Sequence, residues 1–233
     1  MTNSYSQVIA IDGPSGSGKS TMAKKLASQL NLLFIDTGAM FRALGYFADK
    51  AGVEFKEGPE LKNFLNSLEI QYSDNAEELI IINGENLSKV IREHHVSTHA
   101  SVISQIPSVR SFLLDFQRKL GAENICVMEG RDIGTVVFPD AFCKIFITAS
   151  PEVRAKRRLD QLKENNPDSN ETLEQVLEDV VERDRKDTQR EVAPLKVADG
   201  ATVVDTSEMK ASEVLNHLIE IAREKAKGHN IDL

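Results

Sequence analysis

The sequence is poor in cysteine, in net positive charge and in long apolar runs. Two cysteines in 233 residues cannot build the disulfide framework of a secreted mini-domain. Cys126 and Cys143 sit in the apolar runs ICVM and AFCKIFI, so they read as buried thiols of a reducing compartment, not as a metal knuckle. No apolar run approaches the roughly 18 residues that a membrane helix needs. The opening MTNSYSQVIAID has neither the basic start nor the long apolar core of a signal peptide. A cytoplasmic protein without membrane contact is expected. Positive charge is outweighed: 28 Lys and Arg against 36 Asp and Glu leave a net charge of −8. That excludes a general nucleic-acid coat, whose binding rests on a basic face neutralising phosphates.

What is present is ordinary in bulk, with 41% hydrophobic and 27% charged residues, and points to one globular domain or a core with an inserted subdomain. The length suffices to bury a core without staples, and nothing in the pattern suggests more than a monomer. The arginines are unevenly spread. Arg154, Arg157, Arg158, Arg183, Arg185 and Arg190 all fall in 154–190, a concentration that suits a small anionic ligand.

Apolar runs alternate with 3.6-period segments, the mark of an α/β fold. Residues 7–12 and 32–36 predict strands, followed by helices from about Gly18, with Met22, Leu26 and Leu30 on one face, and over 37–52. Stretches 68–73, 78–84 and 85–91, with turn signals at Asp74-Asn75 and Asn83-Gly84, predict a small antiparallel meander. Two helices broken at Pro107 follow within 97–120, the second striped by Val109, Leu113, Phe116 and Leu120. Residues 60–105 thus read as an insertion into a parallel core, which resumes with strands at 124–130 and 144–150. A charged helix over 151–163 precedes a loop at 165–170. Thr172 and Gln175 form a capping box that opens a helix striped by Leu173, Val176, Leu177 and Val180. A last buried strand at 201–207 leads to a helix from Ser212 to Gly228 that buries Leu215, Leu218, Ile219 and Ala222.

Chemistry concentrates in four blocks. The first, GPSGSGKS at 13–20, matches the phosphate-loop pattern and lies between a strand and an amphipathic helix, the context that pattern requires. Glycines 13, 16 and 18 let backbone N–H groups face a phosphate. The helix N-terminus adds partial positive charge, Lys19 reaches the β- and γ-phosphates, and the Ser20 hydroxyl suits Mg²⁺. An Asn-Lys-x-Asp guanine signature is missing, which argues against a GTPase. In the second block, DTGAMFR at 36–42, Thr37 ends a strand and Arg42 sits one turn into a helix. The third, EGRDIGTVVFPDA at 129–141, places Arg131 and Asp132 at a strand's carboxyl end, where ligands bind in doubly wound sheets. In the fourth, ERDRKDTQREVAPL at 182–195, Arg183, Asp187 and Arg190 share one face if the helix persists, a row suited to phosphates and sugar hydroxyls. His95 and His99 lack the Glu of a zinc-protease signature and read as structural.

Together, and in this order, the four blocks resemble the cytidylate kinase family over essentially the whole chain. The resemblance implies a P-loop kinase fold: a central parallel sheet flanked by helices, an inserted antiparallel β plus helix subdomain for the nucleoside monophosphate, and a mobile helical lid within 154–190. It implies transfer of the γ-phosphoryl group of ATP to CMP or dCMP with Mg²⁺. By the same resemblance, Arg154, Arg157 and Arg158 lie in the lid over ATP. Gly13, Pro14, Ser15, Gly16, Ser17, Gly18, Lys19, Ser20 and Thr21, with Arg157 and Arg158, hold ATP, and Ser20 holds the metal. Thr37, Arg42 and Arg131 hold the monophosphate. Ser101, Arg110 and Asp132 line the pyrimidine pocket, and Arg183, Asp187 and Arg190 surround ribose and phosphates. Lys19, Arg131, Arg158, Arg183, Asp187 and Arg190 form the catalytic set. Glu129 stands where the family commonly has Asp, and Thr37 where it commonly has Ser. Another small-molecule or nucleotide kinase, acting on UMP or AMP, and a nucleotide-responsive binder that transfers nothing are the alternatives.

Overall fold

The structure, a computed structural model, describes residues 6–73, 75, 77–165 and 170–233. Asp74 of the first expected turn, and 166–169 of the loop expected at 165–170, lie outside the described residues. The chain divides into two compact units, Met1–Phe34 with Asn124–Leu233, and Ile35–Glu123. The second contains the stretch 60–105.

The first unit is built on strand β1 (Ser6–Asp12). Val8 to Ile11 are wholly buried, which is why this strand reads as a continuous apolar run and not as an alternation. Strands β2 (Leu33–Asp36), β6 (Cys126–Gly130), β7 (Ala141–Thr148) and β8 (Thr202–Asp205) complete a sheet in the order β2-β6-β1-β7-β8. β1 runs parallel to β6 and β7, and β7 parallel to β8. In this register Asp12 lies beside Gly130. The phosphate loop and the Arg131 turn therefore leave the same sheet edge from neighbouring strands.

Helix α1 (Lys19–Leu30) buries Met22, Ala23, Leu26, Ala27 and Leu30, and Asn31 ends it in the left-handed conformation. Helix α8 (Ala211–Gly228) buries Val214, Leu218, Ile221, Ala222 and Ala226, leaving Leu215 and Ile219 only partly covered. Its buried face is thus rotated from the stripe expected on sequence. Helices α6 (Pro151–Asn165) and α7 (Leu173–Gln189) share a small core of Ala155, Val176 and Val180, flanked by Leu159, Leu162 and Leu177. The Thr172–Gln175 capping box is formed. Leu173, expected on the buried stripe, is 46% exposed because it occupies the first helical position beyond that core. β8 is an edge strand, not a buried one: Val203 is 52% exposed and only Val204 faces the core.

In the second unit, helix α2 (Thr37–Lys50) is followed by α3 (Pro59–Asn66), strands β3 (Ile70–Tyr72), β4 (Ile80–Ile82) and β5 (Glu85–Asn86), and helices α4 (His94–Ile103) and α5 (Pro107–Glu123). The expected antiparallel meander is present as β3-β4-β5. Its third strand is far shorter than 85–91. The Asn86 side chain accepts a 3.0 Å bond from the Ser88 amide, a local turn that diverts the chain into a single 3₁₀ turn at Val90–Arg92. Helix α3 lies outside the elements expected from the sequence. Its signal is Pro59 at the helix start with Leu61 and Leu65 one turn apart, and Phe64 stacks on Phe47 at 6.1 Å. α2 and α4 approach closely at Gly45, where a Cβ would stand 3.0 Å from that of His99. No helix among the described residues is long and apolar enough to cross a membrane.

Candidate active site

The phosphate loop leaves β1 through Gly13, whose φ of 154° excludes most L-residues. A Cβ there would overlap the Ile147 carbonyl oxygen. Gly18 caps α1 with φ 82° and no side-chain cap, so the first amides of the helix are left to an anion. Lys19 is buried, with Nζ 3.4 Å from the Pro14 carbonyl oxygen and 3.8 Å from Glu129 Oε2. Ser20 Oγ donates a 2.8 Å bond to Glu129 Oε1. Burial pushes the Lys19 pKa down to about 8; Arg131 and Arg183 add to this, against Glu129 and Asp187. This ammonium sits in a cationic cluster and gains from any anion that arrives.

Arg131 follows the last residue of β6, and its Nε donates to Asp187 Oδ2 at 2.9 Å. Burial works against the Arg131 charge, but Asp187, Glu129 and Asp12 outweigh it and hold its pKa above the ordinary value. Burial likewise pushes the Asp187 carboxyl up. Arg131, Arg183 and Arg190 prevail and hold it below the ordinary value. Arg190 is not on the helix face expected for it. α7 ends at Gln189, and Arg190 is extended, with ψ 142°. Its Nε donates to the Ala193 carbonyl oxygen at 2.5 Å, and its Nη2 lies 3.4 Å from Asp132 Oδ1. The row 183–190 thus meets the 131–132 turn through two pairs, Arg131 with Asp187 and Arg190 with Asp132.

The three α6 arginines separate by environment. Arg154, 3% exposed, donates to the carbonyl oxygens of Ala149 (2.9 Å) and Ser15 (3.1 Å) and makes a two-pronged pair with Asp184 of α7. It supports the phosphate loop from behind. Arg157 donates to Ser17 O at 3.3 Å and to Thr206 Oγ1 and O. Arg158 bonds Gln161, a side-chain contact at the surface. Arg154→Met should therefore lower unfolding stability by about 3 kcal/mol, because it strands the Asp184 carboxylate and two carbonyls. Arg158→Met should change it by less than about 0.5 kcal/mol. Urea unfolding of both variants checks this; equal losses would remove the distinction.

In the second unit, Asp36 Oδ1 accepts from the Ala39 amide (2.8 Å) and caps α2, at whose first position Thr37 is buried. Asp36 Oδ2 pairs with Arg42 at 2.9 Å, and the Asp36 amide donates to the Tyr72 hydroxyl of β3 at 2.7 Å. Arg110 of α5 donates to Ser104 O, the C-cap of α4, at 3.0 Å, and lies 5.4 Å over the Phe41 ring. The Ser101 carbonyl oxygen accepts from Ser104 Oγ and Gln105 Nε2 in the same helix end. Arg42 and Arg110 are thus each held by short contacts within this unit, on α2 and α5.

Comparison with known proteins decides the family. The model of the family described as "Cytidylate kinase" matches residues 9–224. A cytidylate kinase of Clostridium tetani is 42% identical over 224 residues, covering 95% of this chain and 97% of that one. A cytidylate kinase of Thermosipho melanesiensis is 42% identical over 219 residues, covering 94% and 98%. The chain belongs to the cytidylate kinase family. In Prochlorococcus marinus a bifunctional pantoate ligase/cytidylate kinase is 42% identical over 220 residues, which cover 94% of this chain and 42% of that protein.

Several residues of this family member that act on the site were not singled out by motif. Asp36 pairs with Arg42 and Phe41 lies under Arg110, while the Tyr72 hydroxyl accepts from the Asp36 amide. Asp184 and Thr206 hold Arg154 and Arg157. Asp36 had a legible signal, since it stands three residues before the amide it caps. Tyr72, Asp184 and Thr206 act across 36, 30 and 49 residues of chain, a separation no local pattern reports.

Proposed function

We propose that this protein transfers the γ-phosphoryl group of ATP to CMP or dCMP, giving ADP and CDP or dCDP. The observation that carries this reading is the buried cationic cluster of Lys19 and Arg131, with Arg183 beside them, balanced by Glu129 and Asp187 at the end of the phosphate loop. Such a cluster suits a reaction in which two anions must meet.

A CMP phosphate oxygen attacks the γ-phosphorus in line, the new P–O bond forms, and ADP leaves as the β–γ bridge breaks. The attacking oxygen is already ionised near neutrality, so no strong base is needed. Catalysis rests on positioning and charge stabilisation. Lys19 holds the β- and γ-phosphates, while Arg131, Arg183 and Arg190, kept in place by Asp187 and Asp132, stabilise the charge on the group in flight. Arg157 and Arg158, as part of the lid, cover the donor nucleotide and exclude the water that would hydrolyse it. Ser20 and Glu129 would hold Mg²⁺: a hydroxyl and a carboxylate in contact are the hard oxygen donors it takes. The chemistry it would supply when bound is neutralisation of triphosphate charge.

Thr37 and Arg42 are assigned to the monophosphate. Ser101, Arg110 and Asp132 are assigned to the base, where a carboxylate accepts from the cytosine N4 amino group and a guanidinium donates to a ring acceptor. The protein is proposed to act as a cytoplasmic monomer, in keeping with Cys126 and Cys143, both buried and unbridged, with burial pushing each thiol up to about 12.

ADP release measured with CMP, dCMP, UMP, AMP and water as acceptors tests the reading. CMP and dCMP should stand well above the others. Rates no greater than with water would overturn transfer, and a faster rate with UMP or AMP would reassign the acceptor. Asp132→Ala should narrow the CMP to UMP preference in kcat/KM by about ten-fold or more while KM for ATP holds. An unchanged preference would take Asp132 out of the base pocket.

A further inference from the structure

We infer that Asp12 is a positioning residue for phosphoryl transfer: its buried carboxylate, at the end of β1, holds the Ile133 and Gly134 amides and thereby fixes Arg131 and Asp132 relative to the phosphate loop. This rests on the roles proposed above for Arg131 and Asp132.

Asp12 is 4% exposed and immediately precedes Gly13. Its Oδ1 accepts from the Ile133 amide and its Oδ2 from the Gly134 amide, each at 2.8 Å. Those amides open a five-residue π-helical turn, Ile133–Val137, a rare geometry that occurs mostly at functional sites. Asp132 precedes this turn with φ −145° and ψ 23° and gives it no side-chain cap. Its carbonyl oxygen accepts from Val136 and Val137 at 2.9 and 3.1 Å. The first amides of a helical turn have no partner within it, and here a carboxylate from the neighbouring strand takes two of them. One side chain therefore ties the first residue before the phosphate loop to the two residues that follow Arg131-Asp132.

Both oxygens are needed, so protonation matters. A carboxylate accepts two N–H bonds, whereas a carboxylic acid keeps one good acceptor and turns a donor toward the other amide. Burial pushes the Asp12 pKa up to about 7, against the two amides that favour the charge. The charged groups facing it from the turn after β6 are Asp132, which raises it further, and Arg131, which lowers it. From β7, the Lys144 alkyl chain lies over Gly134 while its ammonium goes to the Asp199 carbonyl oxygen at 3.1 Å.

Asp12→Asn is the decisive variant, since an amide has the shape of the protonated acid and, like it, offers one carbonyl acceptor with a donor on the other atom. At about pH 8 it should lower kcat/KM for CMP roughly ten-fold while KM for ATP stays within about two-fold. Read as a ratio to the unmodified protein at each pH, which cancels titration of the nucleotides, the deficit should shrink toward unity by about pH 6. Hydrogen exchange at about pH 8 should quicken in residues 130–138 of the variant with the global unfolding midpoint little changed. A deficit equal at both pH values, an equal loss for ATP, or unaltered exchange in 130–138 would overturn the inference. If the unmodified protein itself failed to phosphorylate CMP, the proposed function would fall by that control alone. The exchange comparison would still decide the tether.

Discussion

Lys19→Ala should lower kcat by about 10³-fold or more, with the fold intact. One carboxylate oxygen of Glu129 at 3.8 Å and one carbonyl at 3.4 Å hold the side chain, and the Asp187 carboxylate favours its charge, against two guanidinium groups nearby. The free protein thus keeps this ammonium in a setting that depresses its pKa to about 8, and a triphosphate reverses the balance. Binding ATP just above that pH should therefore take up protons, because the phosphates raise the pKa of a lysine that is partly neutral without them. Calorimetry in buffers of different ionisation enthalpy reads that uptake, and Lys19→Ala should abolish it. Unchanged kcat in the variant would remove the phosphate-loop assignment. Unchanged proton uptake would assign the uptake to another group.

The second large effect is at Arg131. Arg131→Ala should cost about 10²-fold or more in kcat and, separately, about 3 kcal/mol of stability, since it breaks a largely buried pair with Asp187. The two losses differ in their dependence on pH. The native pKa of Asp187 is held below the ordinary carboxylate value. Its contribution to stability is then fully present above that ordinary value and disappears as pH falls through the depressed native one. Without Arg131 that native pKa rises toward the ordinary value, so the stability gap between the two proteins should be widest near neutrality and close in acid. Arg131→Lys keeps the charge but loses the planar fork. It should recover much of the stability and little of the turnover. Recovery of turnover in the same proportion as stability would make Arg131 a purely structural residue.

Some of this was readable along the chain because the controlling forces are local. The glycines of 13–18 and the lysine that follows form a phosphate loop because backbone conformation and the helix start are set within a few residues. The Thr172–Gln175 cap is local in the same sense. β1 and β6 announce themselves through the apolar runs at 8–11 and 126–128 because both faces of a central strand are covered. Local pattern and structure part where a neighbour decides. β8 has the composition of a buried strand, yet among the described residues nothing pairs on its outer side, and Val203 is left half-exposed. Arg190 keeps helical spacing from Arg183, yet bonds to Asp132 and the Ala193 carbonyl accompany an extended residue there.

By itself the sequence determined the kinase family, the phosphate loop and the identity of the charged residues, since these reside in residue type, order and short spacing. Tertiary structure alone decided which charges meet. Arg154 belongs to the loop's support and Arg158 to the surface, although they lie one helical turn apart. Glu129 serves Lys19 and Ser20 across 109 residues and more, and Asp12 reaches the amides after Arg131-Asp132 only because β1 lies beside β6 in that register. The physical reason is that a buried charge takes its partner from whatever strand or helix the packing brings alongside, and that adjacency is a property of the sheet order, which no stretch of sequence contains.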